Sequence, residues 1–289
     1  MALRSENFLL RRYIDKAMVD LPALPGVVLQ VVQATEKENV TTAEIEGLLS
    51  TDPAIATKLL KVVNSAYFGL PRQIVNVNQT VAILGMHQVR NLVMSIGVLN
   101  VLTSTTPRVA EAQKAHWGHS FASASCAESI ARAKNLPRKD IEMIFIGGLL
   151  HDVGRLFLFT LFHLPYQEVM KESIKKGEPI DEVERRILGT THAELGGTLA
   201  EKWNFPQGLV NMIRHHDQIP DNMIDPGVYC CHVADAIANE LAGPEVVGVF
   251  RPAHLRAQQW LGFSDEQWEG LKTHTSEQVE KAKDMLGVA

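Results

Sequence analysis

This sequence predicts an all-α protein, and three observations lead there. Capping residues precede apolar residues spaced three and four apart, hardly any stretch alternates with period two, and Gly or Pro breakers separate the periodic segments. The 289 residues correspond to one large domain or two small ones at ~150 residues each, enough to bury a substantial core. Apolar residues make up 46% and charged residues 21%, which excludes a disordered or collagen-like chain. Against 28 Lys and Arg stand 33 Asp and Glu, a net charge of −5, so no global basic field favours nucleic acid or an anionic membrane. Cys126, Cys230 and Cys231 are too few, and the last two too close together, to write a disulfide framework, which points to a reducing compartment.

Taking the elements in order, Phe8-Leu9-Leu10 ahead of Arg11-Arg12 is far short of a signal peptide's apolar region, and the expected location is the cytoplasm. Thr41-Thr42-Ala43-Glu44 reads as a capping box opening a helix through Leu49. Asp52-Pro53 supplies an N-cap acceptor and a proline at the first helical position, and Ile55, Leu59, Leu60, Val62 and Val63 follow at helical spacing. Asn64-Ser65-Ala66-Tyr67-Phe68 reads as a helix end whose aromatics fasten the N-terminal helices to the rest. Val81–Leu84 and Val89–Leu102 are helices punctuated by Gly85. Thr103-Ser104-Thr105-Thr106-Pro107 is polar and closed by proline, and marks a boundary. Beyond it Ala110–Ala133, Ile141–Phe162, Pro179–Leu188, His192–Trp203, Leu209–His216 and Val228–Leu241 read as helices, and Gly262–Leu286 as one or two surface helices after Ser264-Asp265-Glu266. The expected organisation is an N-terminal helical unit over 1–104, a second helical core over 105–241 and a helical extension over 242–289. The apolar run Ile141–Leu164 is interrupted by Glu142, His151, Asp152 and Arg155, so no transmembrane helix is expected.

The chemistry centres on His151-Asp152, set between Ile144-Phe145-Ile146-Gly147-Gly148-Leu149-Leu150 and Val153-Gly154-Arg155-Leu156-Phe157. An ionised carboxylate in so apolar a run is costly unless a cation or strong hydrogen bonds compensate it. His119, His192, His215-His216-Asp217 and Asp235 occupy similar helix-embedded positions. Any one of these imidazoles alone reads as a hydrogen-bonded core or surface residue; as a set they have the donor types of Fe, Mn, Zn or Ni. A carboxylate-bridged pair of such ions lowers the pKa of bound water and clamps a phosphate. His116, three residues before His119, is the weaker ligand candidate. Cys230-Cys231-His232 cannot all face one ion from consecutive helical positions and reads as buried packing.

The order His119, His151-Asp152, His192, His215-His216 and Asp235 resembles the HD superfamily of metal-dependent phosphohydrolases. Leu21-Pro22-Ala23-Leu24-Pro25, Asp52-Pro53-Ala54-Ile55-Ala56, Asn64-Ser65-Ala66-Tyr67-Phe68 and Ala82-Ile83-Leu84-Gly85 narrow this to the HDOD family, the HD-related output domains of bacterial signalling proteins. The resemblance runs from about Leu21 to Leu241. It implies a divalent transition metal, or a pair, with Asp152 bridging, His119, His151 and Asp235 around one ion, His192 and His215 around the other, and His216 ligating or contacting substrate. It also implies that His151 and Asp152 activate a water if the protein is an enzyme, with Arg155 as a phosphate contact. Two readings follow: a signalling output module with a protein partner, or a phosphohydrolase acting on a nucleotide or other phosphoester. Asp217-Gln218-Ile219-Pro220 stands where cyclic di-GMP hydrolases carry Gly-Tyr-Pro, so that substrate is not expected. Ala115 stands where some relatives place a Glu for a third metal.

Overall fold

In a computed structural model that describes residues 2–35, 37, 39–104 and 106–286, seventeen helices make up the fold. Thr105 of the boundary stretch, and residues 1 and 287–289 at the ends of the outer segments, lie outside the described residues. No strand occurs among the described residues; an isolated bridge pairs Pro179 with Val249.

The N-terminal helices are α1 (Ala2–Asp20), α2 (Gly26–Thr35), α3 (Thr42–Ser50), α4 (Pro53–Val63), α5 (Val77–Leu84) and α6 (Met86–Leu102). The first two were not anticipated from periodicity. Thr41 caps α3 by accepting the Glu44 N–H, but the Glu44 carboxylate pairs with Lys37 instead of returning to the cap, so half of the capping box forms. Asp52 accepts from the Ala54 and Ile55 N–H groups with Pro53 in the first turn, as its sequence position requires. Asn64 then pins the following loop, donating to the Leu60 and Ile74 carbonyls and accepting from the Ile74 N–H. Tyr67, held by that loop, donates to Glu128 and packs against Phe121 and Phe145, which ties the N-terminal helices to the two helices that follow.

Those two are α7 (Pro107–Ala133) and α8 (Arg138–Leu150), and then come α9 (Val153–Leu161), α10 (His163–Lys176), α11 (Ile180–Leu188), α12 (His192–Lys202), α13 (Gln207–His215) and α14 (Pro226–Ala242). The chain closes with α15 (Pro244–Val247), α16 (Leu255–Leu261) and α17 (Asp265–Leu286). The long helix α7 is the axis on which α8, α14 and α17 all pack. The surface helix α17 buries Leu271 and Thr275 against it and leaves Glu266, Glu269 and Thr273 exposed. One cluster of buried apolar side chains runs through the described residues, from Ile14 and Leu59 through Phe121 and Phe157 to Val233 and Leu261. Within Arg138–Leu161 an 18-residue window is apolar enough to cross a membrane, but 89% of that window is buried in this core.

One difference from the sequence reading creates the site. Ile141–Phe162 is not one helix: it breaks at His151 and Asp152, where Asp152 takes φ −96°, ψ 20° between α8 and α9. Two glycines on either side explain how closely the neighbours approach. A Cβ on Gly148 would stand 2.6 Å from the Ala124 Cα of α7, and one on Gly154 2.0 Å from the His192 carbonyl oxygen. Only a residue without a side chain lets α9 meet the start of α12 there.

Candidate metal centre

The break turns His151 and Asp152 into the middle of a buried cluster to which α7, α12, α13 and α14 each contribute. Asp152, 1% exposed, lies at its centre with its two oxygens serving different neighbours. Oδ2 faces His151 Nε2 at 3.4 Å, His119 Nε2 at 3.6 Å and His116 Nε2 at 3.7 Å. Oδ1 faces His192 Nε2 at 3.2 Å and His216 Nε2 at 3.4 Å. Asp235 Oδ1 closes the first group, 3.0 Å from His119 and 3.2 Å from His151, with its other oxygen held by Asn239. Asp217 closes the second, 3.0 Å from His192 Nε2.

Tautomers follow from the outer hydrogen bonds. His151 Nδ1 lies 2.7 Å from the Gly148 carbonyl, His216 Nδ1 2.8 Å from the Ile213 carbonyl, and His192 Nδ1 2.7 Å from Glu184 Oε2. Each of these oxygens only accepts, so each neutral ring carries its proton on Nδ1 and aims the Nε2 lone pair inward. His119 and His151 then face each other across 3.2 Å and His192 and His216 across 3.3 Å. Lone pairs so placed repel unless a cation sits between them. Two donors about 2.1 Å from one ion at 90–110° are about 3.0–3.4 Å apart, so both pairs have the spacing of ligands to a common ion. The outer carbonyls and Glu184 are the partners that orient metal-bound histidines.

Without an ion, protons must supply the positive charge. Burial disfavours the His151 cation, but the Asp152 and Asp235 carboxylates outweigh it and raise its pKa to about 10. Burial likewise opposes, and Glu184 and Asp217 override that to raise, the pKa of His192. Asp152 and Asp235 resist burial and stay ionised because Arg155 and His151 for the one, and His151 and His119 for the other, hold them well below the carboxylate range. His116 is the exception: burial brings it down to about 3, and neither ring nitrogen has a hydrogen-bond partner.

Of the residues expected from sequence, His119, His151, Asp152, His192, His216 and Asp235 are brought together and His215 is not. In α13 and its cap, Leu209, Met212, Ile213 and His216 share the inward face, which turns His215 to the flank. There it lines a cavity of about 290 Å³ together with Arg185, Arg214 and Asp217. Arg155 also departs from expectation. It is buried, paired to Asp152 Oδ1 at 3.2 Å and donating to the Val247 carbonyl, so it neutralises the central carboxylate instead of pointing into a cleft. Asp217 was legible as the third residue of His215-His216-Asp217 but had no role; Glu184, in a charged helix with no motif around it, gave no local signal. His116 was set behind His119 and lies in the same group.

A family comparison matches residues 21–219 to the HDOD domain. The chain belongs to the HDOD family. An uncharacterized protein of Treponema pallidum (strain Nichols) is 30% identical over 201 residues, 70% of this HDOD chain and 38% of that relative, so the chain spans well under half of that relative's length. Among solved structures, a protein from Marinobacter aquaeolei VT8 provisionally named a signal transduction protein superposes with TM-score 0.75 at 19% identity, covering 99% of this chain and 65% of that one. One from Shewanella amazonensis SB2B provisionally named a phosphohydrolase gives 0.68 at 21% identity, covering 95% and 96%. An HDOD domain protein of unknown function from Geobacter sulfurreducens gives 0.67 at 20%, covering 94% and 89%. At these identities the likeness shows that the HDOD chain shares their fold.

Proposed function

We propose that this chain is a metal-binding HDOD output module of a bacterial signalling protein, in which Asp152 joins two divalent transition-metal ions and a protein partner reads the outcome. The observation that carries the metal reading is the pair of inward-facing imidazole couples on the two oxygens of one buried carboxylate. His119, His151, Asp152 and Asp235 would hold one ion, and His192, His216, Asp152 and Asp217 the other. Imidazole and carboxylate donors suit Fe, Mn, Zn or Ni.

The output reading is favoured over catalysis by how little of the cluster is open. Asp235 is 10% exposed and Asp217 20%, and the histidines facing Asp152 are buried. The cavity beside Asp217, at about 290 Å³, is at the bottom of the ~300–1,000 Å³ range of ligand sites. A bound metal pair would supply an activated water and a clamp for phosphate. What this chain contributes for catalysis is limited: Asp217 lies at the rim, Arg185 and Arg214 are engaged by Glu194 and Glu201, and Arg155 is engaged by Asp152. Hydrolysis of a small phosphoester, approached through the Asp217 cavity, is the second reading, and cyclic di-GMP is not its substrate.

The test is to purify the protein without chelator, determine its metal content and assay it with p-nitrophenyl phosphate, bis-p-nitrophenyl phosphate, nucleotides and cyclic di-GMP. Bound metal with no turnover supports the output module. Turnover of about 10 per second that disappears in Asp152→Asn makes the protein an enzyme and overturns the first reading.

A further inference from the structure

The histidine left without partners carries one step more. His116 is 1% exposed, and both of its ring nitrogens lack a hydrogen-bond partner, which is costly for a buried imidazole. His116 and His119 are three apart on α7 and therefore share a helix face. Its Nε2 lies 3.7 Å from Asp152 Oδ2, in a series with His151 at 3.4 Å and His119 at 3.6 Å around the same oxygen. On its other side the ring meets Phe159, which offers no acceptor. The polar group facing the ring is Asp152 Oδ2, beyond hydrogen-bond distance, and an ion shared with that oxygen would give the imidazole a partner.

The geometry points to His116 as a further ligand of the first ion, making that half of the site three imidazoles with Asp152 and Asp235. This rests on the metal reading above. A donor set that rich in imidazole selects the later divalent ions, Co, Ni and Zn, over Mg, which prefers oxygen ligands and retains its waters. The second half, with two imidazoles and two carboxylates, is less selective.

His116→Leu and His116→Asn remove the donor, one by an apolar side chain of similar size and one by a polar side chain too short to reach. Metal-stripped wild type and both variants are titrated with Co²⁺ against a competing chelator, with thermal melts of the metal-free and Co²⁺-loaded proteins. The expected result is that one of the two Co²⁺ equivalents weakens at least ~10-fold, of the order seen when a metal's supporting residues are lost. Metal-free His116→Leu should melt no lower than wild type, because an unpaired polar group has been replaced by an apolar one. The gain in melting temperature on adding Co²⁺ should shrink in both variants. Unchanged Co²⁺ affinity and stoichiometry in whichever variant folds would overturn the assignment while leaving the two-ion site standing. A wild type that binds no Co²⁺ would overturn both.

Discussion

The two halves of the cluster use one carboxylate but are built differently. Around Asp152 Oδ1, His192 and His216 are anchored through Nδ1 to Glu184 and to the Ile213 carbonyl, and Asp217 reaches a cavity. Around Oδ2, His151 is anchored to the Gly148 carbonyl, but His119 Nδ1 and both nitrogens of His116 are unpartnered, and the three imidazoles are buried. In the first arrangement both imidazoles are oriented by partners at Nδ1; the second keeps imidazole nitrogens without partners in the interior. The difference teaches that orientation and accessibility go together here: the half nearer solvent has both of its imidazoles anchored by the protein, and the interior half has one anchored and two with nitrogens left over.

The change expected to matter most strikes both halves. Asp152→Asn removes the charge that the buried Arg155 faces, and an uncompensated buried cation costs about 3–5 kcal/mol, so the metal-free variant should melt well below metal-free wild type. A metal-free melt unchanged by this substitution would break the idea that Arg155 is held there as a counterion.

Separating the halves comes next. Asp235→Asn should cost the ion beside His119, and Asp217→Asn the ion beside His192, each leaving one ion per chain by elemental analysis. Loss of both ions from either variant would mean that the halves fill only together. Glu184→Gln sharpens the comparison, since it weakens the carboxylate grip on His192 while leaving a group for Tyr166 to donate to. Affinity for the second ion should fall about 10–100-fold and that for the first should stay the same.

A smaller effect comes from the cysteines behind the cluster. Cys126, Cys230 and Cys231 are fully buried, and burial pushes the Cys126 thiol up to about 12. In the unfolded chain a thiol titrates near ~8.5, so the folded state holds its proton more tightly. The stability this supplies is complete below that pH and is lost as pH rises toward 12. Melting temperature should therefore decline above about pH 9, and a thiol reagent at pH 8 should label none of the three without denaturant. The smallest effect is expected from His215→Ala, with metal content unchanged and stability within about ±0.5 kcal/mol of wild type. A lost ion in this variant would return His215 to the ligand set.

Much of this was legible in the order of residues. The caps at Thr41 and Asp52 marked helix starts, because a side-chain oxygen ahead of an apolar run has few other uses. His119, His151, Asp152 and Asp235 declared themselves as polar groups in apolar helices. The choice between His215 and His216 was legible too, in the spacing from Leu209 through Met212 and Ile213 to His216, but it required the helix face and not the motif alone. The break at Asp152 was not legible: an apolar run gives no local sign of where a neighbouring backbone will press, and it is the His192 carbonyl, forty residues on, that crowds Gly154. Glu184 and the Arg155 pairing with Val247 are equally non-local, set by how α9, α11 and α15 meet.

Asp152 would serve both ions of the proposed two-metal site, and counting metal tests this most directly. Elemental analysis of wild type and Asp152→Asn, both reconstituted with the same divalent transition metal and desalted, should give two ions per chain in wild type and none in the variant. Two ions retained by a folded Asp152→Asn protein, or none in wild type, would contradict it.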